Sequence, residues 1–218
     1  MSPSGLRYDR YTANGSREWL TVLGDAQAPA ILFLPPLFEE LNRTRALILG
    51  ALRGVAARGF SCRLPDLPGT GESERALEEC GWDDWLGAVQ ECARGAQAVA
   101  SFRGGTLLDG AAGKLPVWRF APVTGASLAR DLSRAGLVSE GGSAGYGLSP
   151  ALRAGLEAAE PGQPKRLRTV RLHSDAARAD RKVQAPPLWR RSEPETSSEL
   201  VEIIAGDIVD WVRACGVS

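Results

Sequence analysis

The chain has 218 residues, 44% hydrophobic and 24% charged, which fits a single domain over residues 1–218 with a substantial core and excludes disordered and fibrous classes. Its 26 basic residues balance 26 acidic ones, so net charge gives no pull toward nucleic acid or an anionic membrane surface. The first ten residues lack the apolar core of a signal peptide, and the longest apolar run, Ala28 to Phe38, is broken by prolines and too short to span a bilayer. A cytoplasmic location is therefore expected. Cys62, Cys80, Cys92 and Cys215 form no C-x-x-C pair and accompany a single histidine, which argues for reduced thiols and against a zinc site; no metal or cofactor is expected.

Taken in chain order, Leu6 to Thr12 and Glu18 to Leu23 alternate on either side of Asn14-Gly15, a dipeptide that favours a tight antiparallel hairpin. Ala30 to Leu34 is continuously apolar, as a strand covered on both faces must be, and it stops at Pro35-Pro36. Leu37 to Asn42 reads as a loop and Arg43 to Arg58 as a helix closed by Gly59. Phe60 to Leu64 gives a second strand, followed by a Pro/Gly loop from Pro65 to Ser73. Trp82 to Gly95 reads as a helix with Asp83 and Asp84 in its first turn. Ala98 to Phe102, a strand, meets Arg103-Gly104-Gly105, a sharp turn and helix start, and Pro116 to Phe120 is a further strand.

This β-α-β alternation predicts a doubly wound, mostly parallel α/β sheet with right-handed crossovers. Beyond Pro122 the spacing predicts a helix over Ser127 to Ala135, a glycine-rich loop over Gly141 to Gly147 and a helix from Ser149-Pro150 toward Glu160. Leu167 to His173 reads as a late strand, Ser174 to Pro187 as a polar connection, and Ser197 to Ala214 as an amphipathic helix covering one sheet face.

Four stretches carry candidate chemistry. The strand-turn-helix context at Arg103 is that of a nucleophile elbow, yet an arginine keeps its proton and has no lone pair with which to attack a carbonyl. At the opening of a helix it suits a carboxylate or phosphate ligand, or a buried ion pair with Glu39 or Glu40. A literal G-x-S-x-G does occur at Gly141 to Gly145, but no buried strand precedes Ser143. His173 is the one histidine, so a serine mechanism through Ser101 or Ser143 would need it as base; Asp66 to Ser73 lacks a phosphate-loop lysine and reads as a structural turn.

The run from Phe33 to Arg45, with Pro35-Pro36, Glu39-Glu40 and Asn42, resembles the α/β-hydrolase superfamily, as does Leu64 to Ser73. More narrowly, with Ala144-Gly145-Tyr146, Leu148 to Leu152 and Pro186-Pro187-Leu188-Trp189, the chain is similar to the exosortase A system-associated hydrolase 2 family of bacterial exopolysaccharide loci. That resemblance implies an elbow with arginine in the nucleophile position and a ligand-facing sheet edge without a catalytic triad. The expected pocket gathers Glu39, Glu40, Asn42, Arg103 and Trp189 around a small anionic or acyl ligand. Two alternatives stay open: an ester or thioester hydrolase with an atypical nucleophile, and a non-catalytic scaffold for a protein partner. Oligomeric state is not legible.

Overall fold

In a computed structural model, which describes residues 5–134, 136, 145–191 and 196–217, one sheet runs through the molecule. Its edge is the hairpin of β1 (Arg7–Ala13) and β2 (Ser16–Leu23), joined by Asn14 and Gly15, both at positive φ as a two-residue turn of this kind requires. β2 pairs antiparallel with β4 (Ser61–Pro65), and from there the sheet is parallel through β3 (Ala30–Leu34), β5 (Ala96–Phe102), β6 (Val117–Phe120), β7 (Leu167–Leu172) and β8 (Arg181–Val183). The spatial order is β1-β2-β4-β3-β5-β6-β7-β8. All five residues of β3 are buried, which explains its unbroken apolar run.

Helices cover both faces. α1 (Glu39–Ala56) and α5 (Ser198–Ala214) pack together on one side, where Leu47, Ile48, Leu52, Ile204 and Ile208 meet Ile31, Phe33 and the aromatic side chains of β5 and β6. On the other side α2 (Trp82–Cys92), α3 (Gly125–Arg134) and α4 (Pro150–Ala158) close over Leu32, Leu34 and Val99. Ser149 and Ser197 cap α4 and α5 by accepting from the Leu152 and Leu200 N–H groups.

Three expectations are corrected. Glu39, Glu40 and Asn42 are not on a loop: they form the first turn of α1, because acidic side chains favour the positive end of a helix. The connection after β7 contains β8, a three-residue edge strand whose Val183 pairs with Leu172 and whose Arg181 and Lys182 suppress any apolar signal. After β5 the chain makes two short 3-10 turns, Arg103–Leu107 and Asp109–Ala112, rather than an α-helix. Close packing requires a glycine in this turn: a Cβ on Gly105 would stand 2.4 Å from the Pro35 carbonyl oxygen.

The far end of the sheet is clamped by Asp207 of α5. Its carboxylate accepts from Trp118 Nε1 at 2.7 Å, from Arg168 Nε and Nη2 at 2.7 and 2.8 Å, and from Arg181 Nη1 at 2.7 Å. Burial pushes this carboxyl up, but the hydrogen bonds from Arg168, Trp118 and Arg181 outweigh it and hold it at about 2. A folded-state value below the ordinary carboxylate value stabilises the fold above about pH 4, and that stabilisation is lost as pH falls toward about 2. Urea midpoints measured across this window are expected to fall in the native chain and to fall less steeply in Asp207→Asn; identical acid limbs would remove the assignment.

Candidate functional site

Arg103 stands in the first turn after β5 at φ 50, in the left-handed region that non-glycine residues enter at a cost of about 1 to 3 kcal/mol and hold where surrounding contacts fix them. Those contacts are present. Nε and Nη2 donate to the two Glu40 carboxylate oxygens at 3.1 and 2.7 Å, Nη1 donates to the Ala121 carbonyl at 3.2 Å, and the guanidinium carbon lies 4.3 Å from the Trp189 ring centroid. The Arg103 and Glu40 side chains are only 10% and 13% exposed, so the pair is a desolvated, bidentate ion pair. Thr106 Oγ1 donates to the Arg103 carbonyl and closes the turn.

The start of α1 extends the arrangement. Glu39 lies 3.6 Å from Arg43 Nε and accepts from Asn42 Nδ2 at 3.2 Å, while Arg43 Nη1 donates to the Trp189 carbonyl at 3.3 Å. Trp189 is thereby held twice, by Arg43 at its backbone and by Arg103 at its ring. Successive helical residues are about 100° apart, so of the two adjacent glutamates Glu40 faces the elbow and Glu39 faces Tyr146, whose phenol is raised by burial and by its hydrogen bond to Glu39.

Ser101 is fully buried on β5 and donates to Asp109 Oδ2 at 2.7 Å. Asp109 in turn accepts from Arg119 Nε and Nη2, both at 2.7 Å. The hydroxyl is therefore a fully buried member of a hydrogen-bond network beneath the turn. His173 follows β7 at an exposed position, with its backbone N–H donating to the Val183 carbonyl. Ser143 lies outside the described residues. The structure thus brings Glu40, Arg103 and Trp189 into direct contact, sets Glu39 beside them, turns Asn42 toward a different cavity, and keeps Ser101 and His173 apart.

Arg103 and Trp189 form the floor of a cavity of about 620 Å³ at the carboxyl edge of the sheet. α3 contributes Ser127, Arg130, Asp131 and Arg134 to one wall, a polar stripe at i, i+3, i+4 and i+7. Ser174, Asp175 and Arg190 contribute to the opposite side. Arg171 pairs with Asp175 at 2.6 Å; burial raises that carboxyl, and the Ala177 N–H and Arg171 outweigh it and hold it below the usual range. Arg130 and Arg190 have no acidic partner among the described residues, and the buried Nε atoms of Trp189 and Arg171 have no acceptor there. Rim cations without acidic partners suit a ligand rich in acceptor oxygens. The α3 stripe was readable as helical spacing; Asp109, Arg119 and Arg190 carry no sequence signal that separates them from ordinary surface charges.

No family model matches the sequence, and no curated protein matches it. Among solved structures the chain is similar to Est1E from Butyrivibrio proteoclasticus, a structure with ferulic acid bound, at 13% identity over 94% of this chain and 99% of that one, with a TM-score of 0.66. It is also similar, over a smaller part, to epoxide hydrolase VrEH1 from Vigna radiata, at 18% identity over 55% of this chain and 40% of that one, with a TM-score of 0.43. The chain spans about two fifths of the length of the epoxide hydrolases it matches. The end-to-end likeness to Est1E, together with the sheet order and the turn after β5, gives this chain the α/β-hydrolase fold.

Proposed function

We infer that this α/β-hydrolase-fold chain binds a small anionic or acyl ligand in the arginine-lined cavity at the sheet's carboxyl edge, and that it does so without Ser-His-Asp chemistry. One observation carries the reading: the elbow side chain is Arg103, at φ 50, salt-bridged to Glu40 and stacked on Trp189. In this fold the base follows the nucleophile and the acid in chain order, and the stretch between the last strand and the closing helix holds Trp189 in contact with Arg103. Nucleophile and base are replaced together, by a cation and an aromatic face.

Of the five donors on Arg103, Glu40 takes two and the Ala121 carbonyl one, which leaves one N–H on each terminal nitrogen for a ligand. Arg130 and Arg190 at the rim supply attraction, and Glu40 fixes the guanidinium in advance, so the ligand bears little of the ordering cost. The motif resemblance supports an acyl or glycan intermediate of an exopolysaccharide locus, handled in the cytoplasm, as this ligand.

A fluorophosphonate probe is expected to leave the chain unlabelled. Labelling that disappears in Ser143→Ala would favour an ester hydrolase with an atypical nucleophile. Calorimetric titration with short acyl carboxylates and phosphate monoesters is expected to give salt-dependent binding that weakens about tenfold in the Arg130→Ala, Arg190→Ala double variant, the effect of losing about 1.4 kcal/mol of charge-assisted contact. Unchanged affinity in that variant and in Arg103→Lys would remove the reading.

A further inference from the structure

We propose that the trough between α1 and the β1–β2 hairpin is a second binding site, for a long-chain acyl anion whose head sits on Arg53 and whose chain runs along α1 toward Phe38. The trough encloses about 1410 Å³ and shares no lining residue with the arginine-lined cavity. Its sheet wall follows from register: Tyr8 pairs with Thr21 and Thr21 with Leu64, so the three stand in one row across β1, β2 and β4. Leu23 and Cys62, two positions along, pack with α1 in the core, so this row faces the same side. Leu6 and Tyr8 at the open edge are 44% and 65% exposed. The helix wall is the flank of α1 that carries Leu41, Leu49 and Ala56.

Shape and charge select the occupant. The fifteen steps from Leu41 to Ala56, at about 1.5 Å each, make a trough of about 22 Å, long enough for an extended acyl chain. The acidic lining residues Asp66, Glu72 and Glu78 come from the β4 loop, at the end where Phe38, Leu67 and Tyr146 close the trough; Arg45 stands at that end and opposes the rise that burial imposes on Asp66. An anionic head is repelled there. Arg53, in the last turn of α1 beside Leu23 and Gly24, has no acidic partner among the described residues. A peptide in the same trough would bury N–H and C=O groups against largely apolar walls without partners, a cost an acyl chain does not carry.

Titration of the full chain with monomeric palmitate, followed by calorimetry, tests the site. One-to-one saturable binding is expected, with no competition from acetate or inorganic phosphate. Arg53→Glu and Leu49→Glu are each expected to weaken it about tenfold or more, and hexadecanol, which lacks the charge, is expected to bind more weakly than palmitate. Tyr8→Glu, on the open sheet wall, repeats the test at a residue whose exposure spares the fold. The Arg130→Ala, Arg190→Ala variant should bind palmitate as the native chain does, so this site and the arginine-lined cavity fail independently. Non-saturable uptake, equal affinity in Arg53→Glu, Leu49→Glu and Tyr8→Glu, or co-sedimentation with phosphatidylglycerol vesicles without binding of monomeric palmitate would each overturn the proposal.

Discussion

Glu40→Ala is expected to lower folding stability by about 3 kcal/mol, a large share of the total for a chain of this size. The variant leaves the Arg103 guanidinium in place, 10% exposed, with the Ala121 carbonyl and the Trp189 ring as its remaining contacts. Breaking a buried pair on one side costs about 3 to 5 kcal/mol because a desolvated charge stays behind, and the residual exposure of both partners sets the expectation at the low end. Removing both charges at once, as in Glu40→Leu with Arg103→Met, is expected to recover most of the loss, since the desolvation penalty disappears with the attraction. Urea unfolding provides the measurement, with a lowered midpoint and an unchanged slope marking a change in stability rather than in compactness. A loss below about 1 kcal/mol in Glu40→Ala would place the pair among ordinary exposed ion pairs and would leave Arg103 far more available to ligand than its geometry implies.

How much of this was legible in the sequence varied with the range of the interaction concerned. Local chemistry was readable: Asn14-Gly15 marks the hairpin, Ser149-Pro150 the start of α4, and the unbroken run from Ala30 to Leu34 a doubly covered strand. Edge and junction features were not. β8 is too short and too charged to register, and the pair after Pro35-Pro36 reads equally as a solvated loop or as the acidic first turn of a helix. Sequence spacing offered Glu39 and Glu40 alike as partners for Arg103, and only the helical phase of α1 separates them. The role of Ser101 was hidden because its partner Asp109 lies eight positions on, across a turn packed against the carbonyls of Leu34 and Pro35.

That last network carries the largest effect expected of a single substitution near the elbow. Asp109 and Arg119 have side chains 0% and 4% exposed, joined by two hydrogen bonds of 2.7 Å, with the Ser101 hydroxyl as a third donor to the same carboxylate. Asp109→Asn preserves shape but removes the charge and turns one acceptor into a donor that faces Arg119, so a loss of about 4 to 5 kcal/mol is expected, the upper end for a buried pair broken on one side. Ser101→Ala removes one donor from a carboxylate that keeps its two arginine bonds, and is expected to cost about 1 kcal/mol while leaving fluorophosphonate reactivity and ligand affinity unchanged. Thermal or urea unfolding of the two variants separates the possibilities. Comparable small losses would mean that water reaches Asp109, and a change in probe labelling in Ser101→Ala would make the serine chemically active. The Ser101 network and the Arg103–Glu40 pair sit two residues apart on one strand end, so each holds one side of the turn. Without these contacts nothing would hold a non-glycine residue at φ 50.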